Sequence, residues 1–322
     1  MDIKKLPKIE LHLHLDGSIS IDTASQILNK SKETLKGEMV AKEKCLDLNE
    51  YLTKFSLPVS IMQTKEQLLS ISKDLIKQLK NDNVIYAEVR FAPIKHTTIL
   101  SLEEVVETVI NGLKNNDVKI NLILCMMRDS SYIDNLKIID LANKYLNKGV
   151  VAIDLAGAEG LYKTSLFENL FKYANQLSIP FTIHSGEADG IDSIKSAISF
   201  GAKRIGHGIR LRDDKKLYDV VKDNNIMLEI CPTSNVQTNA VLNYSSHPIK
   251  DFYKNNILIS INTDNRTVSN TTLDKEYNIL MTELDFNIDD FIKINLDSIK
   301  CSFMNQEEKI EMMNKYLNKL EK

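Results

Sequence analysis

Eight short runs rich in β-branched and apolar residues recur along the chain, at residues 9–15, 84–91, 119–126, 150–155, 180–184, 204–206, 227–230 and 258–262. Between them lie longer stretches whose polar and apolar positions follow helical spacing, which is the pattern of repeated strand–helix units. Eight such units in 322 residues predict a closed parallel (β/α)₈ TIM barrel, a fold that typically takes ~250 residues. A doubly wound sheet alternates in a similar way and is the competing architecture. No Pro/Gly/Ser-rich linker or low-complexity tract interrupts the chain, so residues 1–322 read as one domain.

The spacing is irregular in one place. The interval from Gly17 to Val84 is too long for a single crossover helix. Extra helices are therefore expected after the first strand, forming a lid over about residues 30–80 on the C-terminal face, where barrel active sites sit. Within that insertion Leu52 and Phe55 stand three apart on one helical face, and core packing is preferred there over a substrate-facing wall.

Composition narrows the partners. A hydrophobic fraction of 43% excludes a disordered chain, and a net charge of −3 with both signs dispersed offers no basic face for a nucleic-acid backbone. A small molecule is the expected ligand. The four cysteines, Cys45, Cys125, Cys231 and Cys301, are far apart and form no CxxC pair. That spacing argues against disulfides and thiolate zinc sites, and for a reducing compartment. The first ten residues are charged, and no stretch reaches the roughly 18 uncharged apolar residues of a membrane span. The expectation is a cytoplasmic protein without a membrane partner; no sequence feature specifies an oligomeric state.

The candidate chemistry sits where the predicted strands end. In Glu10-Leu11-His12-Leu13-His14-Leu15-Asp16 polar and apolar residues alternate, so on a strand His12, His14 and Asp16 share the inward face. Two imidazoles on one face suit a borderline cation such as zinc, although the same pair also occurs as a structural or surface feature. Residues 182–187 read Thr-Ile-His-Ser-Gly-Glu. There His184 can be a third ligand, and Glu187 is either a general acid-base or a helix-capping residue after a core histidine. His207, between Gly206 and Gly208, reads as a fourth ligand, an orienting base or a turn residue. Asp264 ends the eighth strand, as an oxygen ligand or a turn carboxylate. His96 and His247 lie in proline-containing loops and are expected at the surface.

These segments together resemble the adenosine deaminase branch of the metal-dependent amidohydrolases: residues 7–18 (Pro-Lys-Ile-Glu-Leu-His-Leu-His-Leu-Asp-Gly-Ser), 184–187 (His-Ser-Gly-Glu), 206–208 (Gly-His-Gly) and 262–264 (Asn-Thr-Asp), in order across the whole chain. The resemblance implies one Zn²⁺ per chain held by His12, His14, His184 and Asp264. It implies that Glu187 protonates purine N1 and that His207 orients and helps deprotonate the attacking water. The substrate it implies is a purine nucleoside, adenosine or a close relative. Asp16 would then grip the ribose 5′-hydroxyl, Gly157 would offer its backbone to N3, His14 would also face the substrate, and Leu52 and Phe55 would belong to a hydrophobic gate.

One position departs from the commonest pattern in that branch, which has Asp-Pro where this chain has Asn265-Arg266. An asparagine amide can donate to purine N7 without a raised pKa, so activity with an altered pH dependence is expected. Adenine or methylthioadenosine are alternative substrates. A binuclear amidohydrolase needs a bridging group, often a lysine, where this chain has Asp154-Leu155-Ala156-Gly157, and a non-catalytic nucleoside-binding barrel would be expected to lack a ligand or Glu187. The cysteine-ligated nucleobase deaminases need PCxxC, whereas Cys231-Pro232 has that dipeptide reversed.

Overall fold

The alternation in the first run decides which side of the strand is which. In the computed structural model, which describes residues 2–321, this run forms strand β1 (Lys8–His14). Ile9 and Leu11 pack against Met312 and Tyr316 of the C-terminal helix Gln306–Leu320, whereas His12 turns to the opposite side, toward Glu229. Burying one such aliphatic side chain stabilises the fold by about 1.5–3 kcal/mol, which sets the register against a slip that would invert both faces.

The remaining strands are β2 (Val84–Phe91), β3 (Lys119–Met127), β4 (Val150–Ala156), β5 (Thr182–Ser185), β6 (Arg204–His207), β7 (Met227–Ile230) and β8 (Ile259–Ile261). They pair in parallel in the order β1-β2-β3-β4 and β5-β6-β7-β8. Two bridges join the outer edges of these sheets, Ile153 to Phe181 and Leu13 to Asp264. The second is a pair of backbone bonds, His14 N–H to Asp264 O (2.8 Å) and Asp264 N–H to His12 O (3.1 Å). The ring is a TIM barrel, with strand limits within two residues of those the hydrophobic runs predict.

Five helices fill the interval after β1: α1 (Ile21–Leu28), α2 (Lys32–Met39), α3 (Leu48–Leu52), α4 (Ser56–Ser60) and α5 (Lys65–Asn81). α5 begins with a capping box at Thr64 and Gln67, and buries Leu68, Ile71, Leu75 and Leu79 on one face.

The barrel interior carries ions. Arg90 bonds Asp154 (2.9 Å) and Glu229 (2.8 Å), and Arg204 contacts Glu229 and Glu88 (2.6 Å each), all fully buried. Charges removed from water persist only when paired in this way. Arg266 is buried likewise, between Glu10 (2.6 Å) and Asp82 (2.7 Å).

The two loop histidines are not at the surface. His96 is buried at the end of the turn Pro93–His96 and stacks on Phe91. His247 is buried just before the helix Ile249–Lys254 and accepts the Ile249 N–H. A proline in the segment says nothing about solvent, because a turn folded back onto the barrel is covered by its neighbours. Burial lowers His96 to about 4, and burial with the Arg212 charge lowers His247 to about 3, so both stay neutral.

Candidate active site

Four strand ends deliver the polar groups to one point. His12 and His14 come from β1, His184 from β5, His207 from β6, and Asp264 from just beyond β8. His14 Nε2 lies 3.1 Å from His184 Nε2 and 3.4 Å from Asp264 Oδ1, and His12 Nε2 lies 3.3 Å from the same oxygen. His12, His184, His207 and Asp264 present ligand atoms all within 4.8 Å of one another. All four side chains expected to hold metal therefore converge, and His207 joins them.

The backbone is bent to achieve this. His207 (φ 62°) and Asp264 (φ 59°) adopt left-handed conformations, which cost a non-glycine residue about 1–3 kcal/mol and are retained where the surroundings impose them. Gly206 lies against the imidazoles: a Cβ there would come within 3.1 Å of His12 Cε1 and of the His184 backbone.

Groups behind the cluster aim it. Glu229 Oε2 accepts from His12 Nδ1 at 2.8 Å, and Asp154 Oδ2 lies 2.9 Å from His184 Nδ1. Glu229 claims the His12 Nδ1 proton and leaves the His12 Nε2 lone pair facing inward, and the Asp154 carboxylate stands beside the corresponding nitrogen of His184. His12 Nε2 is buried with no hydrogen-bond partner. Unprotonated nitrogens directed at one another and at a carboxylate oxygen fit a divalent cation. Ser234 Oγ donates to the second Asp264 oxygen at 2.6 Å, and although burial works the other way, the imidazoles facing it, His12 first, hold that carboxyl below its usual range.

Glu187 stands at the edge of the cluster. Its Oε2 is 3.5 Å from His207 Nε2, and Thr238 Oγ1 donates to its Oε1 at 3.0 Å. Burial, reinforced by the negative charges of Asp264 and Glu159, raises its pKa well above the ordinary carboxylate value. The loop carrying it is pinned by Glu159, which accepts the N–H groups of Gly186 (2.6 Å), Glu187 (2.9 Å), Ala188 (2.7 Å) and Asp189 (3.1 Å).

A cavity of about 530 Å³ opens over this centre, lined by His14, Asp16, Leu52, Phe55, Gly157, His184, Glu187, His207, Asp264 and Asn265 among others. Every residue expected to meet substrate lies on it. Leu52 and Phe55, for which core packing was preferred, do both: they pack against Tyr51 and Val268 and also face the cavity. Asp16 is raised to about 6, chiefly by burial. Asn265 Nδ2 donates to the Tyr51 hydroxyl at 3.0 Å.

Sequence reasoning missed the supporting layer. Asp154, Glu229 and Arg90 orient the imidazoles, and Glu159 shapes the Glu187 loop. The helix Pro232–Gln237 and the residue after it reach three site residues: Ser234 bonds Asp264, Asn235 bonds His207 (2.9 Å) and Thr238 bonds Glu187. One signal was present, since Glu88 and Arg90 alternate with apolar residues in β2 and mark an inward polar face.

A parallel barrel with an imidazole–carboxylate cluster and a buried acid at its C-terminal mouth defines a TIM-barrel enzyme of the amidohydrolase type. Residues 7–319 match the family model described as adenosine deaminase, and the chain belongs to that family. It is 42% identical to an adenosine deaminase of Clostridium botulinum (strain 657), over 96% of this chain and 98% of the relative, and 41% identical to one of Enterococcus faecalis, over 95% of each. Among solved structures, an adenine deaminase from Arthrobacter aurescens superposes with a TM-score of 0.89 at 23% identity, over 98% of this chain and 100% of that one, a likeness of fold.

Proposed function

We propose that this chain hydrolyses adenosine, and 2′-deoxyadenosine, to the inosine product and ammonia, with one Zn²⁺ held by His12, His14, His184 and Asp264. The observation that carries the reading is Glu187, a buried carboxyl with a raised pKa at the edge of a cation-fitting cluster, inside a cavity. When bound, Zn²⁺ lowers the pKa of a water from 15.7 to about 7 and so supplies a nucleophile at neutral pH.

The residues of the chain do the rest. Glu187, whose pKa burial raises well above the ordinary carboxylate value, delivers its proton to purine N1 as oxygen adds to C6, so the ring carbon becomes tetrahedral without building charge on N1; the bond from C6 to the exocyclic nitrogen then breaks as the hydroxyl proton passes to the departing amine, leaving the C6 carbonyl and ammonia. His207, kept neutral by burial, hydrogen-bonds the attacking oxygen. Asp16 accepts the 5′-hydroxyl, the Gly157 backbone meets N3, and the free N–H of Asn265 donates to N7. His14 lies against the substrate as well as the cation. Leu52 and Phe55 form the apolar wall of a lid made by the helices after β1, in a single barrel domain, and the lid excludes water. Four free cysteines fit a reducing, cytoplasmic setting. Among the described residues no helix is long and apolar enough to cross a membrane.

The test is ammonia release from adenosine by metal-analysed protein. Glu187→Gln is expected to keep its zinc and lose roughly 10²–10⁴-fold in kcat. Undiminished turnover in a metal-replete Gln variant removes Glu187 from the chemistry.

A further inference from the structure

Behind His207 stands a chain of hydrogen bonds that begins at a backbone amide. The Ile249 N–H donates to His247 Nδ1 at 3.1 Å, and a backbone amide cannot exchange donor for acceptor. His247 is buried and neutral, so it carries one N–H, and that proton is on Nε2. Nε2 lies 3.3 Å from Asn235 Oδ1. This contact fixes which way the Asn235 amide is turned. Its other end, Nδ2, faces His207 Nδ1 at 2.9 Å. An amide N–H has no lone pair to offer, so His207 Nδ1 accepts. The single proton of His207 then belongs on Nε2, the nitrogen 3.5 Å from Glu187 Oε2.

We infer that His247 and Asn235 are positioning residues that hold His207 as its Nε2–H tautomer, so that His207 meets the reacting oxygen as a hydrogen-bond donor. The purpose of this arrangement rests on the deamination reading. A donor aimed where negative charge gathers on oxygen stabilises the addition at C6. A general base at the same point needs the opposite tautomer. Of the two roles the family resemblance implies for His207, the relay supports orienting the water and opposes taking its proton. It also gives His247 a reason to be buried 12 residues beyond Asn235, in a layer that touches neither substrate nor cation.

The test is a long-range ¹H–¹⁵N correlation spectrum of the ¹⁵N-labelled, zinc-loaded full chain without substrate, in which six histidines have to be assigned. His207 and His247 are both expected to show a protonated Nε2 and a bare Nδ1. Asn235→Asp offers only acceptors, so it should convert His207 to the Nδ1–H form and lower kcat by roughly 10²-fold or more, with KM and zinc content little changed. His247→Gln restores a donor and should keep the native tautomer, whereas His247→Phe frees the Asn235 amide and should mix the two. A wild-type His207 protonated at Nδ1 overturns the inference, as do unchanged His207 shifts in Asn235→Asp. An unchanged spectrum in His247→Phe removes His247 from the relay. The wild-type spectrum decides even where a variant does not fold. Because it is recorded without substrate, its failure is distinct from failure of the adenosine reading, which ammonia release alone measures.

Discussion

Asp16 and Asn265 are the residues at which substrate preference should become visible as pH dependence. Asp16 is raised from the ordinary value of 3.8 to about 6 by burial. A carboxyl whose folded pKa exceeds its unfolded one favours folding at low pH and loses that advantage as pH rises through the folded value. Asp16→Asn should therefore gain thermal stability relative to the parent as pH climbs through about 6, measured by unfolding from pH 4 to 8. If the ionised form binds the 5′-hydroxyl, the adenosine KM should fall over the same interval, and a 5′-deoxy substrate should flatten the profile. Asn265→Asp should move the pH–rate profile, because an aspartate donates to N7 only while protonated. An unchanged rate and profile would show that Asn265 does not meet N7.

At the scale of single elements, the Glu187 loop is shaped from outside itself. Glu159 gathers four consecutive N–H groups of that loop and accepts from the Ser193 hydroxyl at 2.5 Å. Glu159→Gln replaces one acceptor oxygen by a donor among those N–H groups. It should lower kcat by more than tenfold while zinc content holds, read by steady-state assay beside metal analysis; full activity would mean that the loop keeps its shape alone. The same element shows what the sequence reveals. His184, Glu187, His207 and Asp264 were legible because each stands at or just beyond the end of a predicted strand, and the Glu10–Asp16 alternation assigned both faces of β1. Glu159, Asn235 and Glu229 were not, because their partners are 27, 28 and 217 residues away and only the closed ring brings them together. His96 and His247 were misplaced for the same reason, since loop composition does not report what covers a loop.

For the molecule as a whole, the barrel interior binds the catalytic mouth to the stability of the fold. Glu229 is shared among His12, Arg90 and Arg204, and against its burial the two arginines hold its pKa below the carboxylate range. Glu229→Ala takes one of two buried carboxylate partners from each of Arg90 and Arg204 and should cost about 3–5 kcal/mol in denaturant unfolding. A loss below 1 kcal/mol would mean that the network relaxes freely. Zinc should act on the same balance, because a ligand present at a hundred times its Kd adds about 2.7 kcal/mol to a fold that alone binds it. Chelation should lower Tm and abolish turnover, and Zn²⁺ should restore both.

In the proposed site, dispersed segments of the chain meet to hold one cation against a proton-donating carboxyl. Anomalous diffraction from crystals of the zinc-loaded protein, recorded on both sides of the zinc edge, tests it most directly. One peak per chain is expected, roughly 2.0–2.2 Å from nitrogens of His12, His14 and His184 and from an oxygen of Asp264. Absence of a peak there, or a peak bound elsewhere, would contradict the proposed site.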